Sequence, residues 1–163
     1  MMVRLRADAR KMLLTSATEE ASRRGDRRLG TDHLLLGLLH DTGSPAARAL
    51  GVSLAAARAA LDALDVAALA AVGVRVAAPG APPPAAAPRH LRPPLTSGAR
   101  AVIKRAIDEA RPAKTGRIGT DHFLLALLSC ELPDPAAELL HALGADPAAV
   151  RERLARLDRG DAA

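Results

Sequence analysis

Apolar residues recur at spacings of three and four near the start of the chain, where Ala9, Met12, Leu13, Ala17 and Ala21 share one face of a helix over residues 7–24. Gly25 ends that helix. The next apolar run, "DHLLLGLLH", predicts a second helix from Thr31, as N-cap, to His40, and Thr42-Gly43-Ser44-Pro45 forms the turn that follows. "SPAARALG" and "SLAAARAALDALD" predict third and fourth helices with Ser44 and Ser53 as caps and Pro45 at the favoured first helical position. The pattern then repeats: "LTSGARAVIKRAIDEA" with Ser97 at the cap, "GTDHFLLALLS" with Thr120 at the cap, and two helices opened by Asp134-Pro135 and Asp146-Pro147.

The repeat is sharpest in two stretches, "LGTDHLLLGLLH" from Leu29 and "IGTDHFLLALLS" from Ile118, an offset of 89 residues that is too long for a solenoid unit and points to a duplicated subdomain. Between the copies lies "VAALAAVGVRVAAPGAPPPAAAPRHLRPP", where seven of the twelve prolines cluster; this composition predicts an extended tether. The expected architecture is all-α, with two pseudo-twofold-related four-helix repeats over residues 1–65 and 94–159. A Pro/Ala-rich linker, 66–93, joins them.

Composition narrows the function classes. Ala and Leu dominate the 49% hydrophobic content, and the single aromatic residue is Phe123, which favours helix over sheet and leaves no platform on which nucleic-acid bases could stack. The net charge of +5 comes almost wholly from arginines dispersed among Asp and Glu, with short clusters at Arg23-Arg24 and Arg27-Arg28. Neither a basic arm nor a zinc-finger spacing occurs, so the pattern argues against nucleic acid as partner. A basic helical DNA-binding regulator is the competing reading, and it predicts steeply salt-sensitive binding to duplex DNA. Cys130 is the only cysteine, which excludes an internal disulfide framework, and its Leu-rich surroundings predict a buried thiol rather than a nucleophile. The opening "MMVRLRADARK" has no apolar core of a signal peptide, and Arg75 interrupts the one Ala/Val-rich run, so no membrane span and a cytoplasmic location are expected.

The repeated motif has its own chemistry. Thr31 and Thr120 as caps would accept backbone N–H bonds, and Asp32 and Asp121 in the first turn would complement the helix dipole. Capping alone accounts for the threonines. A second reading is that the helix N-terminus offers N–H donors to an anion while the adjacent carboxylate attracts a guanidinium, which suits a ligand carrying both charges on one side chain. His33 and His122 either donate to such an anion or pack as helix residues; Arg6, Arg28 and Arg117 are the arginines nearest in sequence. Catalysis is not expected. Adjacent Asp and His point about 100° apart on a helix, no Gly-x-Ser-x-Gly elbow occurs, and the histidines at 33, 40, 90, 122 and 141 show no metal-binding spacing, so neither catalytic residues, a metal nor a cofactor is assigned.

A doubled unit with Glu19-Glu20-Ala21 and Asp108-Glu109-Ala110 ahead of Leu29 to Leu38 and Ile118 to Leu127 resembles the Clp N-terminal domain, ClpC-type, over nearly the whole chain outside the linker. The resemblance implies a module that docks substrates or adaptors of a Clp protease, with a ClpC-type unfoldase or a cyclic-peptide ligand among the partners. It also implies phosphoarginine as ligand, with the guanidinium on the acidic residue of the motif, here Asp32 and Asp121. Two positions depart from the family's pattern. Asp replaces Glu in both motifs, and the Phe-Thr that opens each unit becomes Leu5-Arg6 and Leu95-Thr96, so the partner groove, drawn from Met2, Leu5 and Leu95, is aliphatic. No Gly-x-x-x-x-Gly-Lys-Ser/Thr phosphate loop occurs in the 163 residues, which leads to the expectation of a stand-alone docking module without the ATPase modules.

Overall fold

The computed structural model describes residues 4–75, 92–112 and 116–160. A first helical rod runs through α1 (Ala7–Lys11), a π turn (Met12–Ser16) and α2 (Ala17–Arg24), and Gly25 closes it with φ +73°. Then come α3 (Thr31–Leu38), α4 (Pro45–Leu50) and α5 (Leu54–Ala71). The second unit holds α6 (Ser97–Ala110), α7 (Thr120–Leu127), α8 (Pro135–Ala142) and α9 (Pro147–Asp158). The fold is all-α with two repeats, as the periodicity predicts. The strands β1 (Arg4–Leu5) and β2 (Arg117–Ile118) are two residues each.

Those strands matter because they cross between the units. Arg4 pairs with Arg117 and Leu5 with Ile118, in parallel, and Leu29 forms a parallel bridge with Leu95. The stretch that opens each unit thus hydrogen-bonds the stretch that precedes the other unit's motif: Arg6 N–H donates to Ile118 C=O at 2.8 Å, and Thr96 N–H to Leu29 C=O at 3.0 Å. The exchange is reciprocal. It threads Leu5 and Leu95, both half-buried, against the core and leaves little of either for the aliphatic groove expected from sequence. Met2, the third residue of that groove, lies outside the described residues.

The core is built around the motif helices. Leu34, Leu35, Leu36 and Leu38 of α3 and Phe123, Leu124 and Leu127 of α7 are almost entirely buried, and helices this apolar all round must be enclosed by others. Each such leucine contributes about 1.5–3 kcal/mol by leaving water. The two motif helices touch; α4 packs on α9 and α5 on α8, so every helix of the first unit's second half meets the second unit.

Two expectations are corrected. The fourth helix does not stop at Asp65: "VAALAA" has strong helix formers, and α5 continues to Ala71, with the breaker being Gly73 at φ +83°. Its end carries exposed Val66, Leu69 and Val72. Of the 66–93 linker, residues 76–91 lie outside the described residues. The cap of α6 is Thr96 rather than Ser97, its hydroxyl accepting Ala99 N–H at 3.1 Å. Ser44, Ser53, Asp134 and Asp146 cap as their sequence positions predict.

The π turn explains an irregularity in the repeat. Buried Ala9 and Met12 correspond to buried Ala99 and Val102 at an offset of 90, whereas buried Ala17 and Ala21 correspond to Ala106 and Ala110 at 89. One extra residue has entered the first rod between Met12 and Ala17, and a π turn is the form in which a helix absorbs a single insertion. The bulge presses Ala17 onto α3. A Cβ at Gly37 would stand 3.0 Å from Ala17 N and 3.1 Å from its Cβ, while the corresponding residue of the second unit, Ala126, is accommodated and fully buried.

A buried carboxylate also distinguishes the first unit. Glu20, 1% exposed, accepts from Arg58 Nε at 3.2 Å and from Arg58 Nη2, and His40 Nε2 lies 2.7 Å away. Burial pushes the Glu20 pKa up, but the hydrogen bonds from Arg58 and His40 and the Arg58 charge outweigh it and hold the carboxyl below its ordinary range. The second unit lacks the arrangement: Glu109 is exposed, and Arg151 instead donates to Ser129 Oγ at 2.9 Å.

Gly37→Ala should destabilise the protein by about 1–2 kcal/mol in urea unfolding, since overpacking exceeds the helix-propensity gain; a neutral or stabilising effect would show that the π turn yields freely. Glu20→Gln should cost about 2 kcal/mol at pH 7. Because the folded carboxyl is more acidic than the unfolded one, its contribution is complete above the ordinary carboxyl range and drains as pH falls through the folded value. The gap in melting temperature between Glu20→Gln and the parent should therefore close on acidification, and a gap that persists below about pH 3 would contradict the ion-pair account.

Candidate functional site

Each motif helix starts one residue earlier than the sequence predicts. Gly30 and Gly119 are the N-caps, extended at φ −98° and −106°, so Thr31 and Thr120 are the first helical residues and do not cap their own helices. The histidine three residues past the cap reaches back instead: His33 Nδ1 accepts Gly30 N–H at 2.9 Å, and His122 Nδ1 accepts Gly119 N–H at 3.1 Å. Glycine at the cap leaves room for the first-turn carboxylate. A Cβ on Gly30 would lie 2.5 Å from Asp32 Oδ1, and one on Gly119 would collide with Asp121 Oδ1.

The threonine hydroxyls are thereby released to the other unit. Thr31 Oγ1 donates to Asp134 Oδ1 at 2.8 Å and accepts Ala136 N–H at 3.2 Å, adding a second acceptor at the start of α8. Thr120 Oγ1 donates to Asp8 Oδ2 at 3.2 Å, and Thr120 N–H donates to the same oxygen at 3.3 Å. Each motif is therefore one wall of a site whose other wall comes from the partner repeat.

The first site opens into a groove of ≈ 630 Å³ between the units, lined by Arg27, Arg28, Thr31, Asp32, Thr96 and Gly98 among others. His33 is 3% exposed and fully committed, since its Nε2 also lies 2.9 Å from Asp26 Oδ2; with Nδ1 accepting, Nε2 carries the proton. It packs and positions, and has no N–H left for an anion while neutral. Thr31 N–H has no acceptor among the described residues, and Arg27 and Arg28 stand exposed at the rim with no ion pair among them. The arrangement puts an unsatisfied helix-terminal donor, a carboxylate and two free guanidiniums around one space.

At the second site Arg6 Nη1 lies 3.7 Å from Asp121 Oδ1, and Arg6 Nε 3.5 Å from Asp8 Oδ1. With His122 neutral, Asp121 Oδ1 is buried without a hydrogen-bond partner among the described residues, because His122 Nδ1, 3.2 Å away, then accepts Gly119 N–H; a protonated ring would turn that nitrogen into a donor toward Asp121. Burial pushes the Asp121 carboxyl up, yet His122 and Arg6 together hold it below its ordinary range; Asp121 in turn pushes His122 up. Both effects favour Asp121 as the anion at neutral pH.

The structure thus brings together Thr31, Asp32, His33 and Arg28 at one site and Thr120, Asp121, His122 and Arg6 at the other. Arg117 is not part of either: it stands exposed on β2, in register with Arg4, and makes no ion pair among the described residues. Asp8, Asp134, Asp26 and Arg27 were missed. Asp8 and Asp134 sit about a hundred residues from the motifs they touch, and only superposing the two repeats on paper, which sets Asp8 opposite Gly98, would have pointed to the first of them.

A family model, the Clp repeat (R) N-terminal domain, matches residues 7–131 and again 94–160. Chaperone protein ClpC2, chloroplastic, of Oryza sativa subsp. japonica is 32% identical over 144 residues, covering 86% of this chain and 14% of that protein. The ATP-dependent Clp protease ATP-binding subunit ClpA homolog, chloroplastic, of Brassica napus matches with the same identity and coverage. The chain spans about a seventh of the length of these relatives. The crystal structure of the N-terminal domain of the caseinolytic protease associated chaperone ClpD from Arabidopsis thaliana has the same fold, with a TM-score of 0.69 at 20% identity over 97% of this chain and 95% of that one. With its doubled motif, its two repeats and a family match over most of its length, this chain belongs to the Clp repeat (R) N-terminal domain family.

Proposed function

We propose that the chain is a non-catalytic protein-binding module that engages substrates or adaptors of a Clp protease system, and that the ligand read at its motif is an arginine side chain carrying a phosphoryl group. One observation carries the reading: Thr31 N–H, the Asp32 carboxylate and the free guanidiniums of Arg27 and Arg28 meet at the mouth of a groove of ≈ 630 Å³. A phosphoguanidinium needs a carboxylate for its N–H face and donors for its phosphate, at a separation one side chain can span. Asp32 supplies the first; the helix terminus and the rim arginines supply the second.

The same surroundings support a non-catalytic role. The His33 ring is committed at both nitrogens, and burial pushes the Cys130 thiol up to about 11, so neither offers a base or nucleophile near neutral pH. Among the described residues no group of three His, Cys, Asp or Glu side chains is arranged to hold a metal ion, and no helix is long and apolar enough to cross a membrane. A module of this kind acts by holding cargo away from an unfoldase or by bringing cargo to it.

Asp32→Asn combined with Asp121→Asn tests the ligand. The change is nearly isosteric, so the variant should fold, with a loss of at most roughly 1 kcal/mol at each helix terminus. Calorimetry with phosphoarginine should show at least about tenfold weaker binding, equivalent to about 1.4 kcal/mol. An unmutated protein that gives no heat with millimolar phosphoarginine would remove the ligand and leave the motif as architecture.

A further inference from the structure

The two motifs have identical text, yet their surroundings differ at two positions contributed from across the unit boundary. In the register set by Leu5 and Leu95, Arg6 corresponds to Thr96 and Asp8 to Gly98. The correspondence holds in space, because Arg6 N–H donates to Ile118 C=O as Thr96 N–H donates to Leu29 C=O. Each pair therefore faces its motif from the same place.

We infer that Arg6 and Asp8 are a built-in occupant of the second site, standing in for the guanidinium and the anion of the ligand, so that the chain binds a phosphoarginine side chain at the first site alone. This rests on the ligand reading above and adds the valency. In the second site the Asp8 carboxylate already takes Thr120 N–H at 3.3 Å, the donor that would serve an incoming phosphate, and Arg6 Nη1 already lies 3.7 Å from Asp121, where the ligand's guanidinium would go. The two are tied to each other at 3.5 Å. In the first site the Thr96 hydroxyl turns away to cap α6 and Gly98 has no side chain; Asp134 lines the groove too, but its Oδ1 takes the Thr31 hydroxyl and Ala136 N–H and leaves Thr31 N–H without an acceptor, and Asp32 has no arginine or lysine partner among the described residues.

The occupant is unevenly held. Arg6 is 47% exposed and its single contact with Asp121 is long, so this half can swing into water at little cost. Asp8 is only 23% exposed and holds both the N–H and the hydroxyl of Thr120, so its charge stays and repels a phosphate. Closing the first site in the same way would require its neighbours to give way, because a Cβ at Gly98 would stand 3.1 Å from Asp134 Oδ2 and 3.3 Å from Thr31 Cγ2.

The test is the stoichiometry of phosphoarginine binding in calorimetry. The parent chain should bind one equivalent, and Asp32→Asn should remove it. Arg6→Thr with Asp8→Gly, which copies the open site into the closed one, should bind two equivalents, the added one at least tenfold tighter than any second event in the parent and lost on Asp121→Asn. Since Asp8→Gly also strips a partner from α7, Arg6→Thr with Asp8→Asn, which removes the repelling charge but keeps a side-chain acceptor for Thr120, should still give a measurable second event, with circular dichroism and melting temperature as controls. Two equivalent sites in the parent would overturn the inference while leaving the ligand reading intact. Folded variants that gain no second site would overturn it too, and if parent and variants alike bind nothing, the ligand reading falls with it.

Discussion

Hydrogen bonds between the opening stretch of each repeat and the residues ahead of the other repeat's motif organise everything else in this molecule. Arg6 N–H on Ile118 C=O and Thr96 N–H on Leu29 C=O fix where each motif helix begins relative to the other unit. With that register set, Thr31 meets Asp134 and Thr120 meets Asp8, and α3 and α7 come together in the centre with their leucines enclosed. A pair of two-residue strands could not hold two bodies by itself. It selects the alignment in which a large apolar surface closes, and the apolar burial supplies the free energy.

The helices and most caps were legible because they depend on neighbours in sequence. Ser44, Ser53, Asp134 and Asp146 bond N–H groups two or three residues on, and apolar spacing of three and four gave the faces that are buried at Ala9, Met12, Ala17 and Ala21. The motif threonines misled the reading for the opposite reason. A Thr before an apolar run has the look of a cap, but histidine took over that task and the hydroxyl found its partner 103 residues away in one copy and 112 in the other. Glu20 was visible only as part of a motif; its pairing with Arg58 and His40, 38 and 20 residues on, depends on how α2, α5 and the end of α3 converge.

Small departures from the repeat carry information that the shared text hides. The extra residue before Ala17 produces a π turn, the π turn crowds α3, and the crowding favours Gly37 where the second copy keeps Ala126. A similar chain links Asp8 to a charged second site and Gly98 to an open first one. Neither pair touches in sequence, so each appears as an unexplained substitution until the units are docked.

A groove whose walls come from different repeats also makes ligand binding and repeat docking one equilibrium. Whatever sits between Asp32 on one side and Gly98 on the other is bound only while α3 and α6 stay together, so its affinity is added to the free energy that holds the halves. At a ligand concentration one hundred times the dissociation constant this amounts to about 2.7 kcal/mol. A ligand held in the groove would act as a clamp, and the domain that grips it would be firmer than the domain that is empty.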